Sequence, residues 1–461
     1  MRVPTLEPEF LSAALEIRKF NEEASKVEGK QHLIVAVERA GGYVYRREFD
    51  IFPDGMDDER NTFITERIIK MILWVVGGHT IYIAGSHVVY ANIKDYYRKG
   101  GLREFDYDFW STTFEQEVKV EERTYETIPQ EIPCSDKAGG HLDGKRLGFD
   151  AGGSDIKISA VIDGKVVSSE EIVWLPKLNE DINYHYEHIY GAMKKGVERL
   201  GGDVDAIGIS SAGVIVTDRP MVSSIFIKVP KKDFELVKYA YVNCVHKLEK
   251  ELGHPIAYVV ANDGDVTALA GAYDLEDGCV LGISMGTSEA GGYVDRNGNL
   301  PGWFSELAFV PVDFNRGAEV DEWSGDFGVG CKYLSQDAVI KLLPKAGIEV
   351  DPKLTLAEKL SYVQSLMEKD DERAAKIYET IGVYLAHALA LYAEFYEIRH
   401  VILLGRVTSG KGGDILLRTA RETLKEDFPE YAHFNLGMPS ERMRRVGQSI
   451  SAASLPEIKK R

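Results

Sequence analysis

Two periodicities divide the chain. Apolar positions recur at helical spacing over residues 5–28, Thr62 to Val76, Val88 to Tyr97, Tyr184 to Leu200, Asp233 to Leu252, Glu372 to Phe395 and Gly413 to Lys425. Between them lie short apolar runs closed by glycine or polar turns. His32 to Val37 and Tyr43 to Phe52, joined at Gly41-Gly42, have the pattern of a hairpin. Arg146 to Phe149, Ile156 to Ile162 and Lys165 to Val173 form a second one, turning at Asp163-Gly164. Ile81 to Ala84, Ala206 to Ser210, Ile256 to Val260, Cys279 to Ser284, Gly292 to Asp295 and His400 to Leu404 complete the predicted strands. Residues 101–140 read as irregular, with one strand from Gln116 to Glu121. Strands alternating with helices in this way predict an α/β protein. Residues 128–144 hold two prolines, a Gly-Gly and few apolar positions, and mark the main domain boundary.

The 461 residues suffice for two or three domains, and 44% hydrophobic with 28% charged residues is the balance of a globular protein. The net charge of −18 opposes binding to nucleic acid or an anionic membrane. The one basic run, Glu441-Arg442-Met443-Arg444-Arg445, reads as a solvated helix face. The longest apolar run, Met71 to Val76, is far too short to span a bilayer, and the N-terminus lacks a signal-peptide pattern. Cys134, Cys244, Cys279 and Cys331 are scattered, with no zinc spacing or disulfide framework, which fits a reducing cytoplasm.

Four segments carry candidate chemistry. In Asp150-Ala151-Gly152-Gly153-Ser154 an apolar strand ends in Asp and turns through two glycines. The glycines let backbone N–H groups approach a phosphate, and the Asp suits a magnesium ion held through its waters. A plain hairpin turn would have the same spelling. Gly286-Thr287-Ser288 is a second small-residue turn between strands. The ordered pair suggests two lobes with a nucleotide between them. Asn262-Asp263 follows a buried strand and opens a small-residue helix, where a carboxylate suits a general base. The bland alternative is helix capping, which is the preferred reading for Asp265. Gly405, ending the strand from Val401, leaves room for an adenine or ribose against the backbone, although any strand-to-helix turn can end so.

In this order the segments, from about Leu147 to Ala453, resemble the ROK family (repressor, open reading frame, kinase) of the actin/hexokinase/Hsp70 ATPase superfamily. The resemblance implies a two-lobed actin-like ATPase core of ribonuclease H-like type, here with an additional N-terminal α/β module. It implies an ATP- and Mg2+-dependent sugar kinase. Asp263 would be the catalytic base and Asp150 the water-mediated magnesium ligand. Gly152, Gly153, Ser154, Gly286, Thr287 and Gly405 would bind nucleotide, and Gly213, Asn262 and Glu306 the sugar. Domains follow at 1–140, at 141–262 with a C-terminal helix 440–461, and at 263–439. A homodimer is one assembly the resemblance allows.

The chain also departs from the family pattern. Ser288 and Ala290 replace glycines of the second phosphate turn, and Glu289 brings a negative charge there. Phe309 stands where the family has a histidine, and the cysteine-rich zinc segment is missing, so no zinc site is expected. These changes keep open a catalytically weak or inactive sugar or nucleotide sensor on the same scaffold. The family's repressors carry a helix-turn-helix, which the acidic, hairpin-containing N-terminal third does not suggest. Activators of acyl-CoA dehydratases share the scaffold but hold an iron–sulfur cluster, and scattered cysteines disfavour that class. Finally, Ala40-Gly41-Gly42-Tyr43-Val44 repeats as Ala290-Gly291-Gly292-Tyr293-Val294, and Ala84-Gly85 parallels Leu404-Gly405. This echo suggests that residues 30–100 are a truncated copy of the second lobe.

Overall fold

The computed structural model describes residues 1–134 and 139–459. They form two compact units. The first comprises Met1–Cys134, Ile283–Gly291 and Ser305–Gly437, and the second Ser135–Gly282, Gly292–Phe304 and Met438–Arg461.

In the second unit, strand Lys145–Ala151 is central to a five-stranded sheet. Ala206–Ser211 and then Ala257–Asn262 run parallel to it on one side, while Asp155–Ile162 and Lys165–Val173 extend the other side antiparallel. Helices Ile182–Arg199 and Ala240–Leu252 supply Ile189, Met193, Tyr241 and Val245 to the core that includes Leu147, Phe149 and Ile209. The helix expected from Asp233 to Leu252 is broken at Tyr239 (φ −112°, ψ 12°) into Phe234–Lys238 and Ala240–Leu252.

Helix Glu441–Ala453 crosses the sheet on two glycines. A Cβ on Gly148 would lie 1.6 Å from the Ser449 carbonyl oxygen, and one on Gly208 would lie 1.6 Å from that of Ala452. Glycine at both positions sets the height of the helix. The buried guanidinium of Arg146 donates to the Pro456 carbonyl at 2.7 Å and fastens the chain that follows. The basic run expected as a solvated face lies in this helix; apart from Met443, its side chains fall outside those described.

The first unit holds two four-stranded sheets. One has the order Val44–Ile51, Gln31–Glu38, Thr80–Ala84, Lys119–Glu122. The other has the order Glu289–Val294, Val280–Met285, His400–Leu404, Asn435–Gly437, with the stems of its hairpin assigned to the second unit. The two orders match, but the directions do not. Thr80–Ala84 runs antiparallel to Gln31–Glu38. Gly405, just past the end of His400–Leu404, packs on Met285 at the end of its own neighbour, so those two strands run parallel. Gly41 and Gly42 form a turn at φ 80° and 77°, whereas Gly291 and Gly292 lie inside a strand. The echo is one of spelling and strand order, not of strand direction.

The first helix begins at Ala13, not near residue 5. Pro4 and Pro8 interrupt the helical pattern, and residues 7–14 instead thread along the later part of the unit. Leu11 N–H donates to Asp313 at 2.9 Å, Phe314 N–H donates to the Leu11 carbonyl at 2.8 Å, and Phe10 packs against Tyr333 and Tyr384. Glu7 is buried between Lys341 (2.9 Å), Lys345 (2.7 Å) and Tyr384. Helix Glu104–Thr113 replaces the expected irregular stretch; its buried face mixes Asp106 and Thr113 with Trp110, which hides the apolar period.

Helix Asp58–Val75 turns Glu66, Arg67 and Lys70 inward. There they meet Arg103, Asp106 and Asp326, every one nearly solvent-free. Asp326 lies 3.1 Å from Arg67, 3.2 Å from Lys70 and 2.8 Å from Arg103. Lys70 also binds Asp106 at 2.9 Å, and Arg103 binds Glu66 at 2.6 Å. Three cations thus face three carboxylates.

Candidate active site

Asp150, Ser211 and Asn262 lie at or near the carboxyl ends of three adjacent parallel strands, where open α/β sheets place their ligands. The register pairs Asp150 with Ser210, whose hydroxyl donates to Asp150 Oδ1 at 2.7 Å. Asp150 Oδ2 has no donor among the described residues. Burial drives the Asp150 pKa up to about 6; the Ser210 hydrogen bond opposes this and the nearby charge of Asp263 adds to it. A bound cation would relieve that penalty, so the residues fit a divalent ion held near Asp150.

Asp263 is the first residue of helix Asp263–Leu275. The cap is neither Asp263 nor Asp265 but Asn262, whose Oδ1 accepts from Gly264 N–H at 2.7 Å. The other end of the Asn262 amide donates to the Gly213 carbonyl at 2.7 Å. Gly213 is at φ 118°, with the Val222 carbonyl 2.0 Å from where a Cβ would be. Asn262 therefore ties the Gly213 turn to the start of the helix. Asp265 accepts from Tyr293 N–H at 3.3 Å. A Cβ on Gly292 would strike Gly264 at 2.1 Å, so glycine there lets the strand touch the first turn of the helix. The backbone beneath Asp263 is clamped from both sides. Burial raises the Asp263 pKa, against the pull of Gly264 N–H and of the Lys177 charge.

The turn at 152–154 is closed by Gly152 N–H donating to the Asp155 carbonyl at 2.9 Å. The Trp174 indole donates to the Gly152 carbonyl at 2.8 Å, and Trp174 N–H donates to the Ser154 carbonyl at 3.1 Å. These bonds bring Lys177 to the turn. Its Nζ would lie 3.1 Å from a Cβ on Gly153. Sequence reasoning missed both Trp174 and Lys177. The signal was the hairpin register, since Asp155 pairs with Val173 and the residues after Val173 must emerge beside the turn. A one-residue shift near Ala160 obscures that count.

In the first unit, Gly286 is half-buried and Thr287 exposed, and the Gly286 carbonyl accepts from Gln336 N–H at 2.9 Å. Gly405, at φ 96°, would press a Cβ onto the Met285 carbonyl at 2.4 Å, so glycine is required there by packing. Beside it opens a cavity of about 310 Å³ lined by Gln364, Glu368, Arg406, Ser409 and Lys411. Ser305, at φ 51°, and Glu306 donate their N–H groups to the Val75 and Trp74 carbonyls at 2.9 Å each. The end of helix Asp58–Val75 thus holds the Glu306 backbone. Phe309 packs at a tilt on Trp74 (4.4 Å between centroids) and edge-on to Trp323 (5.2 Å). Among the described residues no group of three His, Cys, Asp or Glu is placed to hold a metal ion, and no helix is long and apolar enough to cross a membrane.

Glu289 turns inward. Tyr392 OH donates to its Oε1 at 2.9 Å, and its Oε2 occupies the space a Cβ on Gly330 would need. Burial pushes its pKa up to about 8, so at neutral pH it is largely uncharged and buried. The folded unit holds a proton there that the unfolded chain releases near 4.5. Stability is therefore full below that value and falls as pH rises towards 8, by about 1.4 kcal/mol per pH unit. Glu289→Gln keeps the neutral shape and removes this slope. Its urea stability relative to the parent should rise by about 2–4 kcal/mol between pH 5 and pH 8; a constant difference would contradict a buried neutral acid.

Residues 146–436 match the ROK family. No curated protein matches the sequence. A ROK hexokinase from Thermus thermophilus superposes with a TM-score of 0.50 at 18% identity, covering 68% of this chain and 97% of that one. A ROK family transcriptional regulator, a homologue of the E. coli MLC protein, superposes with a TM-score of 0.50 at 17% identity, covering 68% of this chain and 78% of that one.

Proposed function

Since the chain belongs to the ROK family, with a two-lobed actin-like ATPase core and an added N-terminal α/β module, we propose that it transfers the terminal phosphoryl group of ATP to a hydroxyl of a sugar or sugar-like molecule. The observation that carries this reading is Asp263: a half-buried carboxylate on a backbone locked by Asn262 and Gly292.

Asp263 accepts the proton of the attacking hydroxyl. Asp150, steadied by Ser210, would hold magnesium, and that ion would neutralise phosphate charge. Gly152, Gly153 and Ser154 offer backbone N–H groups to phosphates, as do Gly286 and Thr287 in the first unit. Gly405, with the cavity beside it, takes the adenosine end. Glu306 binds sugar hydroxyls, while Asn262 and Gly213 shape the sugar side. Such catalysis is positioning and electrostatics. The four cysteines form no disulfide and suit the cytoplasm.

A non-enzymatic sensor is the second reading, favoured by Ser288 and Ala290 in the second turn. The inward, neutral Glu289 weakens it, because no charge then opposes the nucleotide. The test is ATP consumption with magnesium across a panel of hexoses, N-acetylhexosamines and polyols. The expected result is ADP and a phosphorylated product with at least one of them. Calorimetric binding of a sugar with no turnover on any would favour the sensor.

A further inference from the structure

Lys177 lies in the segment after strand Lys165–Val173, a segment built to hold still. Trp174 is 1% exposed and bonded twice to the 152–154 turn. Leu175 N–H donates to Tyr184 OH at 2.9 Å, Asn179 Nδ2 donates to the Leu175 carbonyl at 2.7 Å, and the Pro176 carbonyl meets His185 Nε2 at 3.1 Å. From this base Lys177 extends, exposed, across the second glycine of the turn, its Cε and Nζ at 3.0 and 3.1 Å from the Cβ site of Gly153. Among the described residues no carboxylate pairs with it, although its charge acts on Asp263. A surface lysine needs no anchored loop, and one recruited for stability would meet a carboxylate.

Two neighbours fix what this ammonium serves. On one side is the backbone of the glycine turn. On the other is Asp263, whose pKa burial raises and the Lys177 charge pulls back down. A cation adjoining both the phosphate turn and the base stands where the group passing from nucleotide to hydroxyl must stand. We propose that Lys177 binds the terminal phosphate of the nucleoside triphosphate and holds it for transfer. This rests on the kinase reading above. It requires a triphosphate's third charged group, so it separates triphosphate from diphosphate.

The test uses the full chain with Mg2+ and calorimetric titration of AMPPNP and ADP. One charge-assisted contact corresponds to roughly a 10- to 100-fold change in affinity. Lys177→Met should weaken AMPPNP by that factor and leave ADP nearly unaltered, and Lys177→Arg should restore part of the loss. With a sugar substrate in hand, the methionine variant should lose kcat as well as raise the KM for ATP. Equal weakening of both nucleotides would mean that the residue merely shapes the loop, and unaltered binding of both would mean that it faces no phosphate; either overturns the assignment. Failure of the parent protein to bind either nucleotide would instead remove the kinase reading, and this inference with it.

Discussion

Asp263→Asn should cut turnover ~10²–10⁴-fold, the usual contribution of a positioned general base, and leave AMPPNP affinity close to that of the parent. The substitution is nearly isosteric. An amide oxygen at 263 still accepts from Gly264 N–H, and the Asn262 cap and the Gly292 contact are untouched. Only the capacity to take a proton is lost. The pH profile adds a second measurement. Burial lifts the Asp263 pKa above that of an ordinary aspartate. The base works only when ionised, so kcat/KM falls as pH drops through that raised value, and the acid limb lies above that of an ordinary aspartate. Turnover within tenfold of the parent would remove Asp263 from the role of base.

That residue was legible in the sequence because its position follows from one-dimensional features. A buried strand, an Asn-Asp step and a run of small residues fix a helix start, and the parallel register then brings Asp150 alongside Ser210. The glycines at 148 and 208 were not legible, since each answers to a helix more than 200 residues later. Lys177 was hidden for a different reason: it reads as one exposed lysine after a strand, and only the shifted hairpin register puts it on the turn. In the sequence Glu289 brings a negative charge beside a phosphate turn, unfavourable unless it points away; the alternation of the strand does send its side chain inward to Tyr392. In the N-terminal third, the hairpin and the helix Asp58–Val75 were visible. Its fastening to Glu306 was not, because it runs through backbone carbonyls, and the inward turn of Glu66, Arg67 and Lys70 was not, because such charges look like a solvated face.

Those same residues make Asp326→Asn a strongly destabilising change in the first unit. Asp326 is the point where Arg67, Lys70 and Arg103 converge, and their charges hold its carboxyl group below the usual aspartate range despite burial. With Asp326 gone, three cations share Glu66 and Asp106, and one positive charge is left buried without a counter-charge. Breaking such a network on one side costs about 3–5 kcal/mol. The charge-balanced double variant Asp326→Asn with Lys70→Met should recover part of that loss, because the residues touch and their effects do not add. Urea unfolding of the parent, both single variants and the double variant measures the coupling; a single-variant loss below about 1 kcal/mol would mean that water reaches the cluster. The consequence extends to the candidate sugar residue. Helix Asp58–Val75 carries the network on its inner face and accepts the Ser305 and Glu306 N–H groups at its last carbonyls. Loosening the helix therefore shifts Glu306, so the Asp326 variant should show a raised KM for sugar at temperatures where it remains folded. Asp150 and Lys177 belong to the other unit, so nucleotide binding through them should persist.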